Sequence, residues 1–197
     1  MRLFAALLPP PDATDELARE VGELKRLPGA DGLRWTGRPG WHFTLSFYGE
    51  VDDAAVPDLS ARLERAARRT PPFPLAMRGG GQFGHGRVLW VGAEGDLPAL
   101  RLLADRAEAA GRKSGVPVGE HRRYQAHLTL ARSRDGVDSH PYTDALRDFR
   151  GRAWTVGELV LVRSSLPRSG VAGERPRYEP VARWPLGAVG HGPADEA

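Results

Sequence analysis

Residues 2–8, Arg-Leu-Phe-Ala-Ala-Leu-Leu, form an almost unbroken apolar run that stops at Pro9-Pro10. A short apolar stretch bounded by a proline turn predicts a strand covered on both faces. Leu17, Val21, Leu24 and Leu27 then recur at helical spacing, so the chain opens strand, helix. After the turn-forming Gly37-Arg38-Pro39-Gly40 comes Trp41-His42-Phe43-Thr44-Leu45-Ser46-Phe47. Successive side chains of a strand point to opposite faces. His42, Thr44 and Ser46 therefore share one face, and Phe43, Leu45 and Phe47 share the other.

Further along, Val56, Leu59, Leu63 and Ala66/Ala67 give a second helix from about Asp53 to Arg69, stopped by Thr70-Pro71-Pro72. Two strands are expected next, Phe73–Met77 and Arg87–Ala93, joined through Gly79-Gly80-Gly81 and Gly84 as a hairpin turn or bulge. Leu100, Leu103, Ala104 and Ala107 mark a third helix beginning at Asp96, with Gly111 or Gly115 as its stop. A strand around residues 127–131 follows, then a short helix at 141–149, a strand at 154–162 and a last strand at 178–186. Residues 168–177 read as a mobile arm and 187–197 as a disordered tail. Each half thus runs strand, helix, strand, the order expected of an internal duplication, within one two-lobed domain over residues 1–186.

The two repeated strands carry the chemistry. His42-Phe43-Thr44-Leu45 and His127-Leu128-Thr129-Leu130 are the same pattern, for which composition predicts about 0.02 chance occurrences per chain. In the second copy His127, Thr129 and Ala131 face one way, Leu128 and Leu130 the other. Two histidines facing one cleft can divide acid and base work, because imidazole titrates near neutrality. Threonine hydroxyls two residues on can donate to the non-bridging oxygens of a phosphate. That set suits in-line attack at phosphorus and calls on no metal or other cofactor.

Composition narrows the field. Among 197 residues there is no cysteine, which removes thiol nucleophiles, thiolate zinc sites and disulfides, and makes a reducing, cytoplasmic setting the expectation. The apolar run at the N-terminus is too short for a membrane span or a signal core. Threonines are poor zinc ligands, and the chain holds no His-Glu-x-x-His, no Gly-x-Ser-x-Gly elbow and no Gly-Lys-Ser/Thr phosphate loop. The remaining histidines, His85, His121, His140 and His191, fall in loop or tail contexts. Net charge is only +3, yet all but two of the 28 basic residues are arginine, clustered at Arg65/Arg68/Arg69 and Arg122/Arg123. That balance fits a modest anionic partner.

Through these motifs the chain resembles the two-histidine (2H) phosphoesterases, and within them the RNA 2',3'-cyclic phosphodiesterases, also called 2'-5' RNA ligases. Beyond both motifs the likeness includes Arg2-Leu3-Phe4-Ala5, Arg34-Trp35, Phe47-Tyr48-Gly49-Glu50-Val51, Arg87-Val88-Leu89-Trp90, Ala131-Arg132 and Trp184-Pro185-Leu186. The resemblance implies an α+β fold of two lobes with pseudo-twofold symmetry, antiparallel sheets lining a central groove and helices outside. It implies opening of RNA 2',3'-cyclic phosphate ends to 2'-phosphates, with ligation as the reverse, by a monomer that needs no obligate protein partner. His42 would give a proton to the leaving 3'-oxygen and His127 would activate water. Arg132 matches the family's arginine after the second motif, a phosphate contact if the strand ends or bulges first. Tyr48 shares the parity of His42 and is a candidate for stacking on a base, whereas Trp90 reads as packing. Other readings are a non-catalytic RNA-end or nucleotide-binding module, or a 2H activity on 2'-5' oligonucleotides or ADP-ribose cyclic phosphate.

Overall fold

The computed structural model describes residues 1–119, 123–166 and 176–187. The chain runs β1 (Arg2–Leu7), α1 (Pro11–Leu24), β2 (Arg34–Trp35), β3 (Phe43–Glu50), α2 (Val56–Arg68), β4 (Phe73–Phe83) and β5 (Val88–Gly95). It continues through α3 (Leu97–Lys113), β6 (Leu128–Arg132), α4 (His140–Leu146), β7 (Trp154–Val156), β8 (Glu158–Ser165) and β9 (Arg177–Pro185). Each helix carries a proline in its first turn, where the missing N–H costs nothing and the fixed φ favours the helix. The Asp96 carboxylate caps α3 by accepting from the Ala99 amide at 3.0 Å.

The strands form one antiparallel sheet in the order β7-β4-β5-β6-β3-β1-β8-β9, with β2 added beside β6. Its centre is its weakest seam. β3 and β6 pair at Phe43↔Leu128 alone, and beyond that point β2 takes the vacated edge of β6 through Arg34↔Arg132 and Trp35↔Ala131. Four strands of that order therefore lie on either side of the seam, with β2 as the ninth strand beside β6, giving the two lobes that the duplication predicts.

β1 shows how each lobe is covered twice. Leu3, Ala5 and Leu7 enter the main core with Leu17, Leu59 and Leu100 of the helices. Phe4 and Ala6 point the other way and pack with Val160 and Val162 of β8, beside Leu8 and Tyr178. Burying alternate apolar side chains on both faces explains the absence of polar alternation in this segment. The lobes are also interleaved: α3 leaves β5 of one lobe, yet Tyr48 of β3 in the other donates its hydroxyl proton to the Ala107 carbonyl of α3 at 2.9 Å.

Several expected boundaries move. The glycine run lies inside β4, where Gly79 (φ 59°) forms a bulge between Arg78 and Gly80; the reversal comes later, at Gly84–Gly86. The strand expected over 154–162 is two strands, since β7 pairs with β4 and β8 with β1 and β9. The chain crosses between lobes at Gly157, and a single apolar stretch conceals that crossing. Gly115 (φ 71°) stops α3, with the Val116 and Gly115 amides returning to Gly111 and Arg112 carbonyls. Gly111 instead makes room for an aromatic ring, since a Cβ there would sit 2.8 Å from Tyr48. Residues 168–175 of the expected arm, the tail beyond Gly187, His121, His191 and Arg122 lie outside the described residues, and Arg177, expected in the arm, instead opens β9. Among the described residues no helix is long and apolar enough to cross a membrane.

Candidate active site

The seam builds the site. In an antiparallel pair, continuing the register from Phe43↔Leu128 sets His42 across from Thr129 and Thr44 across from His127. Phe43 and Leu128 are fully buried in the core, so the neighbouring histidines and threonines, all half-buried, face the groove. A local twofold through the Phe43–Leu128 pair exchanges the two motifs. The symmetry expected from sequence is therefore the symmetry of one site.

Each histidine rests on aromatic rings from its own lobe. The His42 ring lies 4.6 Å from Phe4 and 5.2 Å, edge on, from Tyr178. The His127 ring meets Phe83 at 5.0 Å and 90°, with Trp90 at 6.3 Å. His127 Nδ1 lies 2.8 Å from the Gln125 carbonyl. A carbonyl only accepts, so Nδ1 carries the proton and Nε2 is left for groove chemistry. His42 behaves differently: burial first, then the charges of His127 and Arg132, push its pKa down to about 4. At neutral pH it is an uncharged imidazole.

Arg132 reaches the groove because β6 bulges. Leu89 pairs with Ala131 but Trp90 pairs with Thr129, so Leu130 is the extra residue and the parity of the strand inverts beyond it. Leu130 and Ala131 are both fully buried, and Arg132 is exposed on the side of Thr129, close enough to act on His42. It also lines a cavity of about 550 Å³ with Arg34, Trp35, Pro39, Arg177 and Tyr178. The cavity adjoins His42 through Tyr178.

The same device corrects the placement of Tyr48. β3 has two extra residues relative to β1, Leu45 and Tyr48, so the parity that puts Thr44 in the groove sends Phe47 to solvent and Tyr48 into the core. Tyr48 is 1% exposed, its burial pushes the phenol pKa up, and it cannot stack on a base. Tyr48→Phe is therefore expected to leave turnover unchanged and to lose one buried hydrogen bond. Thermal unfolding checks this, with a Tm about 2–4 °C lower for a loss of about 1 kcal/mol. A selective rise in KM at unchanged Tm would count against the placement.

Trp90 packs, as expected, but sequence reasoning gave no place in the site to it, Phe83, Phe4 or Tyr178. The signal for Phe4 and Trp90 was position: each sits on the strand flanking a motif strand. Glycines make room for the indole, since a Cβ on Gly81 would lie 2.3 Å from Trp90 Cζ2 and one on Gly92 3.4 Å from Cζ3. Gly81→Ala is expected to swing the ring off β4 and cost about 1–3 kcal/mol. Its checks are chemical denaturation and a changed His127 ring signal in NMR.

A duplicated antiparallel sheet carrying one His-x-Thr motif on each side of its seam defines a phosphoesterase of the two-histidine class. Residues 7–90 match the family model described as LigT like phosphoesterase. An RNA 2',3'-cyclic phosphodiesterase of Archaeoglobus fulgidus is 32% identical over 183 residues, covering 91% of this chain and 97% of that protein. One from Geobacillus stearothermophilus is 28% identical over 160 residues, or 77% of this chain, which spans only 47% of that protein's length. The crystal structure of Escherichia coli LigT complexed with 3'-AMP superposes with a TM-score of 0.72 at 27% identity, covering 94% of this chain and 96% of that one. The chain belongs to the LigT-like phosphoesterase family.

Proposed function

We propose that this protein opens 2',3'-cyclic phosphodiesters at RNA ends to 2'-phosphomonoesters, with its two motif histidines as acid and base. The observation that carries the proposal is the pairing of His42 and His127 about Phe43↔Leu128 on one groove. In-line displacement at phosphorus needs one group that receives a proton from the entering oxygen and another that supplies one to the leaving oxygen, on opposite sides. The relatives' names and the 3'-AMP in the LigT structure support an RNA-end or nucleotide substrate.

His127 Nε2 accepts the water proton as oxygen attacks phosphorus, with its ring held by the Gln125 carbonyl. The bond from phosphorus to the 3'-oxygen breaks, and that oxygen takes its proton from His42. Thr44, Thr129 and Arg132 donate to the two non-bridging oxygens, whose charge grows on the way to the transition state. His42 rests as a neutral imidazole, so it takes up its proton as substrate binds: a phosphate anion between the histidines offsets the positive charge of Arg132 that disfavours protonation. The ribose and terminal base lie toward the cavity lined by Arg34, Trp35 and Tyr178. A 5'-hydroxyl in place of water would give a 2'-5' linkage by the same proton transfers. Oligoribonucleotides ending in a 2',3'-cyclic phosphate, incubated in EDTA with 2'- and 3'-phosphate products resolved, test the proposal. A 2'-phosphate product at an EDTA-independent rate is expected. Tight binding without turnover would replace the enzyme by a binding module, and a metal requirement would overturn the proton assignments.

A further inference from the structure

The helices carry a charged feature of their own, on the side of the sheet away from the histidines. Phe43 and Leu128 pack into the main core with Leu59 and Leu63 of α2 and Leu100 of α3, so these helices cover the face opposite the groove. Between them lies a cleft of about 140 Å³ rimmed by five cations, Arg62, Arg65 and Arg69 of α2 and Arg106 and Lys113 of α3. Small side chains, Ala66, Ala109 and Ala110, leave the space open, and no carboxylate of a described residue lines it. We propose that this cleft is an anion site for free phosphate or pyrophosphate, separate from the reacting groove and independent of the proposed phosphodiesterase activity.

Charge pairing sets the cleft apart from its neighbours. Arg68 and Arg112, each next in sequence to a cleft residue, are neutralised along their own helices by Glu64 at 2.9 Å and by Glu108. In the cleft, Asp58 bonds Arg62 at 2.8 Å and also feels the charge of Arg65. Arg69, Arg106 and Lys113 form no ion pair with any described residue. Arg65 and Arg69 stand four apart on one helix, a spacing at which like charges repel. The negative end of the α2 macrodipole supplies only about half a charge against this excess, so a ligand with two or more negative charges completes the balance. One guanidinium is held in place for it: Arg106 donates to the Arg69 carbonyl at 2.8 Å and to the Thr70 hydroxyl at 2.7 Å, and that hydroxyl donates to the Ala66 carbonyl at 2.9 Å. These bonds use one of its nitrogens and leave further N–H donors for phosphate oxygens. Size and lining select the ligand. At about 30 Å³ per water the cleft has room for about five waters, which suits a tetrahedral oxyanion or its dimer. It is smaller than the sites that enclose organic ligands, and no aromatic ring of a described residue lines it for a base to stack on.

The test is titration of the full chain with sodium pyrophosphate at constant ionic strength, followed by backbone amide NMR. The groove is also expected to take phosphate, so signals of residues 62–70 and 106–114 read the cleft and those of 42–44 and 127–132 read the groove. Saturable shifts in the helix signals are expected, with orthophosphate binding about tenfold more weakly because it carries less charge. Arg69→Gln/Lys113→Gln should weaken binding at the helices by about tenfold or more and leave binding at the groove unchanged. Arg65→Gln/Lys113→Gln repeats the measurement with a second pair, and circular dichroism checks that both variants fold. Helix shifts that never saturate, that sodium chloride reproduces at equal ionic strength, or that persist in both variants overturn the site. Displacement of pyrophosphate from the helices by an equal concentration of an oligoribonucleotide ending in hydroxyls overturns the free-phosphate ligand in favour of a nucleic-acid backbone.

Discussion

His42→Ala and His127→Ala should each lower kcat/KM for a cyclic-phosphate end by about 10²–10⁴-fold, the range of one positioned proton-transfer group. The double variant should be little worse than either single one, because an acid and a base in one displacement act as a unit. Both rings lie on the groove face and only half-buried, above the Phe43–Leu128 pair rather than within it. Removing them should therefore leave the Tm within a few degrees of wild type. The measurement is kcat/KM against pH for all four proteins, with circular dichroism as the control for folding. Substantial activity in either single variant would remove that histidine from the chemistry. A loss accompanied by unfolding would be a packing effect of Phe4 and Tyr178 around His42, or of Phe83 and Trp90 around His127.

The motif pair was legible because it depends on two features that survive in a linear sequence, residue identity and period-two alternation. Phe43 and Leu128 being core and His42 and His127 being groove follows from the pleat alone. What lay beyond the reach of alternation was every position past a bulge. A bulge inserts one residue, inverts the parity of all that follow, and leaves no composition signal when the extra residue is an ordinary Leu or Tyr. Tyr48 was misplaced for that reason, and Arg132 reaches the groove for the same reason, at Leu130. The crossing at Gly157 was hidden differently. β7 and β8 are both apolar and adjacent, and only their partners, β4 in one lobe and β1 in the other, separate them. Long-range pairing also supplies what sequence could not: the aromatic rings under each histidine come from strands distant in the chain, and their role emerges only when β1 lies beside β3 and β5 beside β6.

Arg132 gives the sharpest test of the electrostatics, because its two effects have opposite signs. Its charge is one of the causes that lower the pKa of His42, so Arg132→Met should raise that pKa. The rise should be partial, since burial is the larger cause and is untouched by the substitution. During turnover the same guanidinium faces a phosphate whose charge is growing, and its loss should reduce kcat/KM by about 10–100-fold. A histidine that is easier to protonate would thus belong to a slower enzyme, a combination that general disruption of the groove does not predict. NMR titration of the His42 ring, without and with inorganic phosphate, reads the first effect. In the wild type phosphate should move the His42 pKa upward from about 4, and in Arg132→Met the anion should bind more weakly and move it less. The same depressed pKa sets a stability profile. The unfolded chain takes up this proton near pH 6.5 and the folded chain only near pH 4, so the stabilisation is full above the first value. It is lost as pH falls toward the second, about 3 kcal/mol in all. Arg132→Met, by raising the folded pKa, should narrow that window from its acid side and flatten the fall in Tm between pH 6.5 and 4. A His42 pKa that drops in the variant, or a Tm profile that steepens, would show that Arg132 does not act on His42 through its charge.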